Sequence, residues 1–286
     1  MRTPQRLEPL VREGLVDSVL RQLMSGKEAV VYAVRCGDEV RCAKVYKDAT
    51  RRNFRQAALY REGRSTRNSR DARAMAKGTR FGRQVQEDAW QSVEVDTLYR
   101  LAAAGVRVPQ PYAFSHGVVL MELVTDADGH VAPRLNDVEL AEASALAHHA
   151  TLIRQIVRML AAGVIHGDLS EYNVLLGRDG PVIIDLPQAV DAAGNNNAAS
   201  MLERDVANVT AYFSRFAPAL AATQFGKEIW ALYERGALHA DVGLTGHVAA
   251  DTRIADVAGV MREIRDTQAE HEARLRHKAL LEGREP

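Results

Sequence analysis

The stretch IHGDLSEYNVLL, Ile165 to Leu176, sets a His, two acids and an Asn around a bend that feeds an apolar run. Asp168 in that bend has two readings. A short acid suits the backbone angles of a turn, and a loop carboxylate beside a nucleophile also serves as a proton acceptor. In NVLLGRDGPVIIDL, a turn at GRDG makes Leu176 face Pro181. Counting outward sets Asn173 opposite Ile184, so Asn173 and Asp185 meet at the open end of a hairpin. An amide carbonyl and a carboxylate are a weak site alone, yet they suit Mg²⁺ when water and phosphate oxygens complete its shell. Asp168 lies five residues before Asn173, on the loop feeding that strand, which brings the three side chains together.

Two more charges fall where burial is expected. Trp90, Glu94, Leu98 and Leu101 share one helical face, and Glu94 interrupts that apolar stripe. Lys44 interrupts the apolar strand RCAKVYK. A carboxylate or an ammonium is costly to bury alone, and each supplies the other's counter-charge. On sequence alone an edge Glu and a Lys reaching water along its stem stand equally.

These residues need elements to position them. LEPLVREGLVDSVLRQL has near-helical apolar spacing and predicts a short opening helix. EAVVYAVRCGDEVRCAKVY reads as a hairpin about Gly37 and Asp38. In that register Cys36 faces Glu39 and Cys42 faces Ala33, so the two sulfurs are not opposed and reduced thiols are expected. VQEDAWQSVEVDTLYRLAAAG predicts a helix stopping at Gly105, VVLMELV a buried strand, and Asn136 to Ala162 mainly helix. Asn197 is expected as the N-cap of a mainly helical remainder. Strands crowd the first part and helices the last, which predicts an α+β protein with a small β-rich lobe, a larger helical lobe and a ligand cleft between them. The expected bounds are a helical extension over 1–23, an N-lobe over 24–124, a C-lobe over 125–250 and an amphipathic, charge-laced extension over 251–286.

Composition narrows the class. The 286 residues are 47% hydrophobic and 26% charged, as in globular domains. No run approaches the ~20 apolar residues of a membrane helix, and no apolar segment precedes the first charges, so a cytoplasmic protein without membrane partners is expected. The nine His and two Cys show no ligand spacing. Net charge is zero but uneven: from Lys47 to Arg83, twelve Lys or Arg face three acids. A solvated loop is the plain reading of that segment, and contact with RNA or another polyanion the sharper one.

A strand Lys, a helix Glu, a loop Asp and a metal-holding Asn and Asp are the working parts of a protein kinase. The chain resembles the RIO family of atypical protein kinases through SGKEAVVY, CAKVYK, HGDLSEYNVL, IIDLPQAV and ERDVANVTAYF, in the family's order, over about Leu7 to Phe216. The resemblance implies a two-lobed kinase-like fold without activation loop or peptide-binding platform. It implies ATP and Mg²⁺, or Mn²⁺, as ligands, and a protein hydroxyl, its own included, as acceptor. Lys44 then holds the nucleotide phosphates, Glu94 orients Lys44, Asp168 takes the proton, and Asn173 and Asp185 hold the metal. Ser25, Lys27 and Glu28 fall in the loop that stands in for a phosphate-covering Gly-rich loop, and Met121, Glu122 and Val124 meet adenine. The family also implies that Asp185 itself becomes phosphorylated in an ATPase cycle, and in eukaryotes and archaea it serves small-subunit ribosome maturation, so RNA or a ribosomal component is a candidate partner for the basic segment.

The departures from ordinary kinases are equally informative. SGKEA replaces GxGxxG, HGD lacks the Arg that pairs with an activation-loop phosphate, and DLP replaces Asp-Phe-Gly. An aminoglycoside-type phosphotransferase shares His-Gly-Asp and the Asn spacing, and a non-catalytic RNA or ribosome-assembly scaffold shares the basic segment. SEY and SGKEA weigh against the first, and the retention of Lys44, Asp168 and Asp185 against the second. His166 is expected to brace the loop by hydrogen bonds.

Overall fold

The structure is a computed structural model that describes residues 3–47 and 93–248. Trp90, the basic segment after Lys47 and the extension over 251–286 lie outside the described residues. Strands β1 (Ser18–Ser25), β2 (Ala29–Cys36) and β3 (Glu39–Tyr46) form an antiparallel meander. A helix over 93–103, α2, precedes β4 (Pro111–Ser115) and β5 (Val118–Glu122), and β5 inserts between β3 and β4 in a five-stranded sheet ordered β1-β2-β3-β5-β4. Gly37 turns the β2–β3 hairpin at φ 62° while the Asp17 carboxylate accepts its N–H at 2.6 Å. Cys36 pairs with Glu39 and Cys42 with Ala33, and both thiols are free.

The period-2 alternation of β3 sorts its side chains between two environments. Ala43 and Val45 pack with Leu7, Leu10, Val34, Val118 and Leu120 on one face, while Cys42, Lys44 and Tyr46 line a cleft on the other. The opening segment departs from the expected helix. Helix α1 spans only Glu8–Arg12, Gly14 follows at φ 73°, and the chain from Ser18 onward is edge strand β1. Leu15 and Leu20, part of the apparent helical stripe, are 38% and 39% exposed, and Val19 instead joins the core beside Leu7 and Leu10. Pairing with β2 thus overrides a weak local helical pattern.

The second lobe packs around α3 (Glu142–Ala161), α4 (Ala198–Ser214) and α5 (Phe225–Glu234), with short strands β6 (Val164–Ile165), β7 (Val174–Gly177), β8 (Gly180–Ile183) and β9 (Val190–Asp191). Leu152, Leu160, Val209 and Phe213 are fully buried in its core. The helix expected from Asn136 starts at Glu142. The Tyr212 hydroxyl donates to the carbonyls of Leu135 and Val138, holding a 3₁₀ turn over Leu135–Asp137 and an extended link ahead of the helix. Asn197 is the N-cap of α4 by position, but its side chain makes no capping bond; Asn195 Oδ1 accepts the Asn197 N–H at 2.8 Å and organises the turn.

His149 is 2% exposed in this core, hydrogen-bonded through Nε2 to Thr210 Oγ1 at 3.0 Å and flanked by the rings of Phe213 and Phe225. Burial lowers its pKa from 6.5 to about 4. Between those values the unfolded chain binds a proton that folded His149 refuses, so stability rises with pH across that window, by up to about 3 kcal/mol. Urea unfolding at pH 4.5, 5.5 and 7 is expected to show this gain in the wild type and a flatter slope in His149→Phe. Equal slopes would remove His149 as the source.

Candidate active site

Lys44 is the centre of the site because β3 fixes its direction. It pairs with Val31 of β2 on one side and Val119 of β5 on the other, so its backbone is locked in the middle of the sheet. Its Nζ lies 2.5 Å from Glu94 Oε1 and 3.0 Å from Asp185 Oδ1. The other Glu94 oxygen accepts from the Tyr46 hydroxyl at 2.8 Å. Glu94 is 6% exposed and the Lys44 side chain 15%, so neither an edge position nor an amine in open water describes them. Burial opposes the charge on Lys44, but Glu94 and Asp185 outweigh it and hold the ammonium well above its ordinary pKa. Burial likewise opposes the Asp185 charge, and Lys44 reverses the balance and keeps that carboxyl below its usual range.

Asp185 reaches Lys44 through an unusual backbone. Leu176 pairs with Pro181, and the Ile184 N–H donates to the Asn173 carbonyl at 3.0 Å, which sets Asn173 opposite Ile184 and next to Asp185. Asp185 then takes φ 67°, a left-handed conformation that Asp tolerates better than most side chains. Asn173 Nδ2 donates to the Asp168 carbonyl at 2.8 Å. That bond occupies the amide nitrogen and leaves the oxygen as the atom available to a cation.

The Asp168 carboxylate is exposed, but the loop carrying it is held by main-chain bonds. His166 Nε2 donates to the Ile184 carbonyl at 3.1 Å, and Nδ1 accepts the Asp168 N–H at 3.3 Å, a pair of bonds that the neutral Nε2–H tautomer satisfies. Asp205 of α4 accepts the N–H groups of Gly167 at 2.7 Å and Leu169 at 3.0 Å. Arg204 donates to the Gly167 carbonyl, and Asn208 Nδ2 to the Leu169 carbonyl at 3.0 Å. Sequence reasoning missed Asp205, although its signal was the one that flagged Glu94: a carboxylate, here 2% exposed, on a helix face with Leu202, Val206 and Val209. Burial raises its pKa, against which the Leu169 and Gly167 N–H donors and the Arg204 guanidinium pull it down.

These groups border a cleft of roughly 570 Å³ whose wall includes Lys44, Glu94, Asp185, Met121, Glu122 and Val124. Lys27 and Glu28 also line it, in the loop between β1 and β2. Ser25 is instead the last residue of β1, outside the wall, with its hydroxyl 3.3 Å from Lys47 Nζ. Asn173 and Asp168 lie beside the Asp185 end and outside the wall. Lys47 closes the loop from both sides: its Nζ donates to the Gly26 carbonyl at 2.5 Å and its N–H to the Glu28 carbonyl at 2.8 Å. At the other end, the Glu122 N–H bonds the Gln110 carbonyl and the Val124 carbonyl accepts from Ala132, while the Val124 N–H has no partner among the described residues. An apolar slot with one such N–H suits a planar base. An ammonium and hard oxygen donors at the other end suit a phosphate chain with a divalent cation. Asp126, Asp128 and His130 form a further group of potential metal ligands, and Asp126 Oδ1 accepts the N–H groups of Asp128 and His130 at 3.0 and 2.9 Å to close a turn.

Comparison with known proteins finds one family. The family model described as "RIO domain" matches residues 30–226. The chain is 38% identical over 208 residues to the "RIO-type serine/threonine-protein kinase Rio1" of Haloferax volcanii, covering 72% of this chain and 67% of that protein. It is 37% identical over 126 residues to the protein of the same name from Thermoplasma acidophilum, covering 44% of this chain and 64% of that one. With the human "Serine/threonine-protein kinase RIO1" it shares 30% identity over 221 residues, which are 77% of this chain but only 37% of the human protein. The chain thus spans about two thirds of the archaeal relatives and little more than a third of the human one. A kinase-like cleft organised around Lys44, together with a domain match over most of the described residues, establishes that the chain belongs to the RIO family.

Proposed function

We propose that this protein is a serine/threonine protein kinase of the RIO type that transfers the γ-phosphoryl group of ATP to a protein hydroxyl. The observation that carries this reading is the contact of Lys44 Nζ with both Glu94 and Asp185, which joins the β3 strand to α2 and to the end of the β7–β8 hairpin. Lys44 neutralises the phosphates and Glu94 holds it in place. Asn173 and Asp185 hold Mg²⁺, or Mn²⁺, and the ion, when bound, neutralises charge on the phosphate oxygens. Lys27 and Glu28 cover the phosphate chain with Ser25 at the base of their loop, and Met121 with the main chain of Glu122 and Val124 borders the adenine. Asp168 accepts the proton as the hydroxyl oxygen bonds to the γ-phosphorus and the bond to the β–γ bridging oxygen breaks, releasing ADP. Positioning and charge neutralisation supply most of the rate, since phosphoryl transfer asks little covalent chemistry of the protein.

A second reading has its own support. The Asp185 side chain is 47% exposed toward the cleft and held anionic, as a nucleophile requires. Its oxygen then attacks the γ-phosphorus, ADP departs, and water hydrolyses the aspartyl phosphate to inorganic phosphate, which makes the protein an ATPase. Either route needs no activation-loop phosphate. HGD lacks the pairing Arg, and β9 follows Asp185 within a few residues. RNA or ribosomal contact rests on the composition of the basic segment alone, and among the described residues no helix is long and apolar enough to cross a membrane.

Incubation with radiolabelled ATP and Mg²⁺, with acid-stable and acid-labile phosphoprotein measured separately, distinguishes the routes. Asp168→Asn, Asp185→Asn and Lys44→Met are each expected to lower acid-stable phosphate at least about 100-fold. Acid-labile phosphate lost with Asp185→Asn and retained in Asp168→Asn identifies the ATPase route. No turnover by the wild type with either metal would overturn both. Asp205→Asn should lower kcat about tenfold or more with KM for ATP little changed, because it loosens the Asp168 loop and not the nucleotide wall. A rise in KM without a fall in kcat would contradict that role.

A further inference from the structure

Arg107, on the link between α2 and β4, lies outside the cleft wall and bonds to both lobes. Its guanidinium forms a bidentate pair with Glu122, Nη1 to Oε2 and Nη2 to Oε1, both at 2.7 Å, and Nη1 also donates to the Val108 carbonyl at 3.0 Å. Glu122 Oε2 accepts in addition the Gln110 N–H at 3.1 Å, while the Glu122 N–H returns a bond to the Gln110 carbonyl at 2.8 Å. The main chain of Arg107 faces the second lobe. Its N–H donates to Oε1 of buried Gln155 on α3 at 2.9 Å, and its carbonyl accepts from Ile183 of β8 at 2.9 Å, two residues before Asp185.

These bonds divide into two sets. The main-chain set fixes Arg107 on the second lobe, and the guanidinium then grips the last residue of β5, where the connector to that lobe begins. A planar fork matched to a carboxylate sets an orientation as well as a distance, which a lysine ammonium does not reproduce. Burial alone would raise the Glu122 pKa, and the Arg107 and Gln110 bonds bring it below the ordinary value, so the pair is ionised at neutral pH.

We propose that Arg107 is a positioning residue for nucleotide recognition: through Glu122 it holds the connector main chain against the second lobe and so sets base affinity and adenine-over-guanine discrimination. The inference rests on the reading of the cleft as an ATP site. The base meets the connector, whereas the phosphates and metal meet Lys44, Asn173 and Asp185 at the far end. Loosening the connector therefore weakens binding of the base and leaves the chemical step comparatively intact. Substituting Arg107 leaves its main-chain bonds to Gln155 and Ile183 available, so the test isolates the guanidinium.

The test is nucleotide binding by titration calorimetry, for ATP and GTP with Mg²⁺, on the full chain of wild type, Arg107→Ala, Arg107→Lys and Arg107→Ala/Glu122→Ala, alongside steady-state kinetics and thermal unfolding. Arg107→Ala is expected to raise Kd and KM for ATP about tenfold, to lower kcat less than about threefold and to shrink the ATP:GTP affinity ratio. Arg107→Lys should recover only part of that ratio, and the double variant should bind ATP no more weakly than Arg107→Ala. If Arg107→Ala shifts the unfolding temperature while the Kd values and their ratio stay within twofold of wild type, the residue is merely structural and the proposal fails. If kcat falls as far as Kd rises, the guanidinium acts beyond the connector and the proposal fails as stated. A wild type that binds neither nucleotide would overturn the ATP-site reading and this inference with it, an outcome distinct from unchanged variants of a nucleotide-binding wild type.

Discussion

An ammonium withdrawn from water between two carboxylates is the constraint on which the rest of the molecule depends. Lys44 is tolerable inside a sheet only because Glu94 and Asp185 stand 2.5 and 3.0 Å away. Those partners come from a helix and from a hairpin in the other lobe, so the contact fixes three elements relative to one another. The Tyr46 hydroxyl completes the arrangement by satisfying the second oxygen of Glu94. Removing either carboxylate would leave the ammonium less compensated, with Glu94 the larger loss, which is why the cluster constrains the fold.

Around that cluster the protein anchors its loops mainly through backbone groups. Asp205, Arg204 and Asn208 of α4 hold the carbonyls and N–H groups on both sides of Asp168, and Lys47 holds both ends of the loop between β1 and β2. Asp168 is thereby held in a defined position while its carboxylate stays exposed. The loop between β1 and β2 follows the same logic: a lysine ties down a short loop whose own sequence supplies one glycine.

Much of this was legible in the sequence, for identifiable reasons. Both hairpins followed from apolar, β-prone runs on either side of glycine-containing turns, and the register of GRDG gave the proximity of Asn173 to Asp185. Lys44 and Glu94 stood out as charges in apolar periodicities. Other features were hidden because their causes are non-local. β1 is an edge strand whose mostly exposed side chains carry little alternation, so a helical spacing of leucines won on sequence. The late start of α3 depends on a hydroxyl from Tyr212, far along the chain. Arg107 looks like any surface arginine until Glu122 is seen opposite, and Asn197 occupies the cap position without a capping bond, in a turn that Asn195 organises.

The most direct test of the central claim is a crystal structure with a non-hydrolysable ATP analogue and Mn²⁺, read by the anomalous signal of the metal. The account predicts a peak about 2 Å from the oxygens of Asn173 and Asp185, with the phosphates between it and Lys44. A peak confined to Asp126, Asp128 and His130, or a nucleotide seated away from Lys44, would contradict it.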